Sequence, residues 1–183
     1  MSTRHIGFDV AVRATGFAFR SAAGRWYFGV VHDLDPEALR RCIEAARANG
    51  IMAAAIEDCY CGKNVKTALA LKEAQTVVRM TCERYGLTAS LVPAQTWQSA
   101  FGIGGNRPER KAGARRVAQM LGAVVESQDA ADAVCIAEHA DRLAQTQDRS
   151  RTREGNSLRP RGSVHGDDGR PGAIRAALKK GNQ

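Results

Sequence analysis

His5-Ile6-Gly7-Phe8-Asp9-Val10-Ala11 is an apolar stretch with one carboxylate inside it, and that acid governs both the fold and the chemistry. Strand side chains alternate, so Phe8 and Val10 share one face while Gly7, Asp9 and Ala11 share the other. A lone ionised Asp in such a strand is costly unless a salt bridge, a proton or a bound cation neutralises it. The rest of the chain favours the cation. Glu57 ends a second apolar stretch, and Asp129 and Asp132 lie three residues apart in a helical pattern.

Working outward, Ile6 to Val12 reads as the first strand, Thr15 to Ser21 as a second and Trp26 to Val31 as a third. Short spacings and Gly24 in a turn predict an antiparallel meander. Asp35, Pro36 and Glu37 open a helix that runs to Ala48 and stops at Asn49-Gly50. Its inner face holds Leu39, Ile43 and Ala46. Ile51 to Ile56 is unbroken apolar sequence, as expected of a central strand parallel to its neighbour. Lys66 to Tyr85 has helical spacing at Leu71, Ala74, Val78 and Cys82. Leu87 to Val92 follows as a strand, with a helical turn in Pro93 to Ala100. A Gly-rich loop spans Phe101 to Pro108, a basic helix Glu109 to Leu121, and a helix Asp129 to about Leu143.

Residues 1–143 are therefore expected to form one domain and 144–183 a basic, flexible C-terminal tail, with a short helix at Ala173 to Lys180. The tail is rich in Arg, Gly, Ser and Gln and too poor in large apolar residues to offset its ordering entropy. The whole chain has 183 residues, a net charge of +8 and a pI near 9.7, which points to a polyanionic partner. Five cysteines without a CxxC pair argue against a disulfide framework or a zinc site. No apolar run is long enough to span a membrane, and the N-terminus lacks secretory character, so a cytoplasmic protein is expected.

A three-stranded meander followed by helix, strand, helix, strand and helices is the order of an α/β, ribonuclease-H-like fold: a central mixed sheet of about five strands flanked by helices. That layout sets Asp9 in mid-strand with Glu57 at the end of the strand alongside. Asp129 and Asp132 project from one helix face near its positive dipole end. Four gathered carboxylates repel one another unless divalent metal is present, and hard oxygen ligands suit Mg²⁺ or Mn²⁺. Two ions about 4 Å apart would serve both the attacking and the leaving oxygen of a phosphodiester. Taken singly, each acid also has a plain explanation as helix cap or surface charge, Asp9 least so.

Ile6 to Phe19 (IGFDVAVRATGFAF) resembles the first hairpin of the RuvC family of Holliday junction resolvases. Ala55 to Asn64 (AIEDCYCGKN), Phe101 to Gly104 (FGIG) and Asp129 to Ala137 (DAADAVCIA) are similar to its later blocks, in order. The resemblance covers roughly residues 4–143. It implies that Asp9, Glu57, Asp129 and Asp132 are catalytic acids holding two Mg²⁺ ions, with Mn²⁺ able to substitute. It further implies a homodimer that makes paired nicks in four-way junctions, leaving 5′-phosphate and 3′-hydroxyl ends, in a bacterial cytoplasm or encoded by a phage. This chain differs from the family's usual pattern at Asp9-Val10-Ala11, where the family often has Asp-Pro-Gly. It differs again at Trp97-Gln98, where a basic residue is common, and in the extra loop residues Asn106 to Pro108.

By the same resemblance Tyr60 takes the place of an aromatic that pushes at the junction centre, and Arg110 or Lys111 that of a lysine near the scissile phosphate. Lys63 and Lys66 sit where a helix begins, which suits phosphate. Arg107, Arg110, Lys111, Arg115 and Arg116 form the densest basic cluster, although a solvated helix face explains the last two as well. His139, two turns past Asp132, is either a support for the acids or an ordinary helix histidine. Other readings are a nuclease with broader taste for branched or flap DNA, a sugar-kinase-like ATPase, and a non-catalytic basic DNA-binding protein. The ATPase needs glycine near Val10-Ala11, which is absent. Loss of Mg²⁺-dependent nicking in Asp9→Asn separates a nuclease from a binder.

Overall fold

The computed structural model describes residues 3–59 and 64–157, with side chains described to residue 150. Strands β1 (His5–Asp9), β2 (Ala14–Arg20) and β3 (Trp26–His32) form the expected antiparallel meander. Helix α1 (Pro36–Ala48) returns the chain to β4 (Ala53–Asp58), and α2 (Val65–Arg84) leads to β5 (Thr88–Pro93). Helices α3 (Ala94–Ala100), α4 (Arg107–Met120) and α5 (Gln128–Ser157) complete the described chain. The five strands lie in the order β3-β2-β1-β4-β5, with β4 parallel to both of its neighbours. This is the mixed, helix-flanked sheet expected from the sequence. No helix among the described residues is long and apolar enough to cross a membrane.

The two sheet faces are covered differently. Phe8, Ile6, Phe19 and Ile56 pack with Leu39 and Ile43 of α1 and Val78 and Cys82 of α2. The opposite face is lined by small residues, and α5 lies on it through Ala133, Val134 and Ala137. Two glycines permit that approach. A Cβ on Gly7 would stand 2.4 Å from the Ala133 carbonyl oxygen, and one on Gly16 would stand 2.0 Å from the Asp129 carbonyl oxygen. Cβ atoms are thus excluded where the catalytic-strand candidate meets the helix that carries the second acid pair. The packing density of protein interiors leaves no room to absorb such a clash.

Helix boundaries follow local chemistry. Asp35 accepts from the backbone N–H of Glu37 and Ala38, as its position before Pro36 predicts. Helix α4 begins at Arg107, two residues before the expected start, because Asn106 and Glu109 form a reciprocal capping box. β1 ends at Asp9 rather than Val12, so the acid stands at the strand's end and not in its middle. The Thr15 hydroxyl donates to the Ala11 carbonyl at 2.9 Å and draws the backbone out of the ladder there.

The largest departure is α5, which continues past Leu143 to Ser157. Residues 144–154 contain neither Pro nor Gly and consist largely of Ala, Gln, Arg, Glu and other residues a helix tolerates. Polar composition alone was a poor guide, because the helix is already nucleated on the sheet and propagation is far easier than initiation. The remainder of the predicted tail, with the short helix at Ala173 to Lys180, lies outside the described residues.

Candidate active site

Asp9 and Glu57 become neighbours through strand register. Phe8 pairs with Ile56 in the parallel β1–β4 ladder, so the next residue of each strand is the acid. On the other side Asp9 is opposite Gly16 of β2. Helix α5 presents Asp129 in its first turn, and Asp132 lies one turn on. The four half-buried carboxylates Asp9, Glu57, Asp129 and Asp132 line one cleft of about 230 Å³, together with Trp97, Gln98, Arg107, Arg110, Lys111 and Gln128. A larger concavity of about 760 Å³ between β3 and α1 is lined by apolar residues with Arg25 and Arg41, and no carboxylate reaches it.

The acids feel one another. Burial raises the Asp9 carboxyl well above the usual carboxylate range, and repulsion from Glu57, Asp132 and Asp129 adds to the rise, with a side-chain hydrogen bond to Glu57. Burial pushes Asp132 up to about 7, reinforced by Glu57 and Asp129 and partly offset by Gln128 and Lys111. Such a cluster needs protons or cations to offset its gathered negative charge. Its donor set, all carboxylate oxygen, fits a hard divalent ion. Among the described residues no three His, Cys, Asp or Glu side chains are already closed to metal-ligand spacing.

Two neutral donors hold the acids. The Trp97 indole Nε1 donates to Glu57 Oε1 at 3.1 Å, and Gln128 Nε2 donates to Asp132 Oδ1 at 3.0 Å. Gln75 Nε2 donates to the Glu57 backbone carbonyl at 2.7 Å from the far face of the sheet. Asp58, next to Glu57, is engaged elsewhere: Lys72 Nζ lies 2.7 Å from its Oδ1 and holds that carboxyl below its ordinary value. Sequence reading missed Trp97, Gln128 and Gln75 as partners. Trp97 stood out only as a departure from the resembled pattern, and its contact with Glu57 is a tertiary one across 40 residues.

The basic candidates divide. Arg107, Arg110 and Lys111 line the cleft beside the acids, and Arg110 is steadied by donating from Nη1 to the Gly105 carbonyl at 2.8 Å. Arg115 and Arg116 are exposed on α4 but do not line it. Lys66 is exposed in the first turn of α2, where Asn64 caps the helix by accepting from the Thr67 N–H. Tyr60 and Lys63 lie outside the described residues. His139 is buried, does not line the cleft, and its Nε2 has no hydrogen-bond partner among the described residues. Burial, with Arg142 nearby, lowers its pKa, consistent with a neutral helix histidine.

Comparison with known proteins gives the family and the fold. The family described as crossover junction endodeoxyribonuclease RuvC matches residues 36–139, a span that includes Glu57, Asp129 and Asp132 but not Asp9. The crossover junction endodeoxyribonuclease RuvC of Roseiflexus sp. (strain RS-1) is 38% identical over 86 residues, covering 46% of this chain and 51% of that protein. The chain thus matches about half the length of this curated relative. Among solved structures, T. thermophilus RuvC in complex with Holliday junction substrate is similar at a TM-score of 0.60 and 14% identity, covering 79% of this chain and 96% of that one. The yeast mitochondrial Holliday junction resolvase is similar at a TM-score of 0.52 and 11% identity, covering 86% and 85%. At such identities these structures speak for the fold alone. With the family match spanning more than half of the sequence, and with the acids of β1, β4 and α5 opening into one cleft, the chain belongs to the RuvC family.

Proposed function

We propose that this protein is a divalent-metal-dependent endodeoxyribonuclease that resolves four-way DNA junctions by paired nicks. The observation that carries the reading is the meeting of Asp9, Glu57, Asp129 and Asp132 in one cleft rimmed by Arg107, Arg110 and Lys111. The four acids would hold two Mg²⁺ ions, with Mn²⁺ as a substitute. When bound, such a pair supplies an activated water as nucleophile and takes up charge on the leaving oxygen. The chain's own contribution is placement. β1, β4 and α5 set the acids on rigid elements, Trp97 and Gln128 donate to two of them, and Lys111 and Arg110 line the same cleft, where they would face the phosphate as negative charge develops on it. Hydrolysis of the P–O3′ bond, with O3′ as the leaving oxygen, leaves 5′-phosphate and 3′-hydroxyl ends.

Paired nicks require two such clefts, and a homodimer supplies them. Val65, Leu69 and Met80 are exposed along one side of α2, opposite the buried Ala74, Val78 and Cys82. Apolar side chains left in water on one helix face favour burial against a second copy. Tyr60, Lys63 and Lys66, in and after the loop that follows Glu57, would contact the junction, as would the basic residues beyond α5. The enzyme would act in the cytoplasm, where branched DNA forms. The test is cleavage of synthetic four-way, flap and linear duplexes with Mg²⁺, Mn²⁺ or chelator. Asp9→Asn should lose at least about 100-fold in nicking rate while still binding the junction. Undiminished cutting by Asp9→Asn, or no cutting by the parent protein on any branched substrate, overturns the proposal.

A further inference from the structure

We propose that Trp97 is a positioning residue for the candidate metal site: its indole N–H orients the Glu57 carboxylate without neutralising it, leaving that negative charge for a divalent cation. The inference rests on the metal-dependent reading above and extends it to a residue outside the acid set.

Three observations support it. The indole is only 2% exposed, and α3 begins immediately after β5 at Ala94, so the ring is held by packing rather than by a loop. Its Nε1 reaches Glu57 Oε1 at 3.1 Å, while Gln75 holds the Glu57 backbone from the opposite sheet face at 2.7 Å. Glu57 is thereby clamped from both sides. A carboxylate offers about four lone-pair sites, and a single N–H donor occupies one of them. The remaining sites, apart from the one shared with Asp9 in the metal-free cleft, are left to coordinate.

The third observation is a contrast in partners. Asp58, adjacent in sequence, is paired with the Lys72 ammonium at 2.7 Å, and Glu138 on α5 is paired with Arg142 at 2.8 Å. Those acids are spent on cations. Glu57 and Asp132, which open into the cleft, receive neutral donors instead, from Trp97 and Gln128. An ammonium or guanidinium paired directly with Glu57 would compete with a divalent ion for that carboxylate. A buried indole gives orientation without that penalty, and such outer partners of metal ligands commonly affect metal affinity by about 10–100-fold.

The experiment measures Mn²⁺ binding to the full chain directly, by titration calorimetry and by the electron paramagnetic resonance signal of free Mn²⁺, without DNA. Trp97→Phe keeps an aromatic ring and removes the donor. Replacement of Trp97 by 3-benzothienylalanine, in which sulfur stands for the N–H, keeps the indole shape and guards against loss of packing in the phenylalanine variant. Both should bind Mn²⁺ about 10–100-fold more weakly, with an unchanged melting curve for the isostere. Nicking at saturating metal should recover, so the loss appears in the metal dependence and not in the maximal rate. Asp58→Asn should bind Mn²⁺ as the parent does. Mn²⁺ affinity within about twofold of the parent in the benzothienyl variant overturns the proposal, as does an equal loss in Asp58→Asn. If Trp97→Phe weakens Mn²⁺ binding but the parent cuts no branched DNA, the positioning role stands and the nuclease reading falls. If the parent binds no Mn²⁺, both fall.

Discussion

Asp132→Asn should stabilise the metal-free protein at high pH, an inversion of the usual effect of removing a half-buried polar charge. The Asp132 carboxyl is raised from 3.8 to about 7, by burial first and by Glu57 and Asp129 next. Between those values the folded state holds a proton that the unfolded chain has released. Stability therefore falls as pH rises through that window. Each pH unit that separates the folded from the unfolded titration is worth about 1.4 kcal/mol, so the full rise corresponds to about 4 kcal/mol, of which roughly two thirds is lost between pH 5 and pH 8. The cleft is open to water, and effective dielectric screening there reduces the figure to about 1–2 kcal/mol. Asparagine keeps an oxygen to accept from Gln128 Nε2, so the substitution removes charge and little else. It also removes one of the charges that raise Asp9.

The assay is urea denaturation in chelator near pH 5 and near pH 8. The parent should lose about 1–2 kcal/mol between the two, and Asp132→Asn should show less than half of that loss and exceed the parent near pH 8. Addition of about 10 mM Mg²⁺ near pH 8 should restore the parent's stability and affect the variant much less, because a cation that binds only the folded state stabilises it by mass action. An unchanged pH slope in the variant, or a variant less stable than the parent near pH 8 without metal, would refute the account of the cleft as a cluster of mutually repelling acids.

Gly16→Ala would place a Cβ 2.0 Å from the Asp129 carbonyl oxygen, pushing the start of α5 from the sheet. It should destabilise by at least about 1–3 kcal/mol in urea denaturation and weaken Mn²⁺ binding by moving Asp129. Arg110→Ala and Lys111→Ala should each reduce junction affinity in chelator. Each should also lower the slope of log affinity against log salt by about 1, read by mobility shift across a salt series. Leu69→Glu combined with Met80→Glu places charge on the exposed side of α2. Sedimentation should report a dimer for the parent and a monomer for this variant, with junction nicks no longer paired; a dimer unchanged by both substitutions excludes that face as the seam.

The succession of strands and helices was legible in the sequence because it rests on local chemistry. Alternation around Asp9, the apolar run ahead of Glu57, the Asp35-Pro36 helix start and the DAADA spacing are all short-range patterns, and β4 lies centrally and parallel as its unbroken apolar run required. Strand and helix ends were less legible. β1 stops at Asp9 because a side chain four residues beyond Ala11 captures its carbonyl, and α4 starts early through a reciprocal cap. α5 runs past the end its apolar periodicity predicts because a polar segment that could not start a helix can extend one.

What the sequence by itself determined was the inventory: a meander, a parallel pair, and four acids far apart in the chain with a basic helix to accompany them. What only the tertiary structure decided was which groups share the cleft and who partners whom. Arg107, Arg110 and Lys111 reach the acids while Arg115 does not, Lys72 withdraws Asp58, and Trp97 crosses from α3 to Glu57. The physical reason is range. Periodicity and capping act over one or two turns, whereas repulsion among carboxylates and a single indole hydrogen bond depend on distances of a few ångströms. Those distances are set by strand register and by the two glycines that let α5 lie against the sheet.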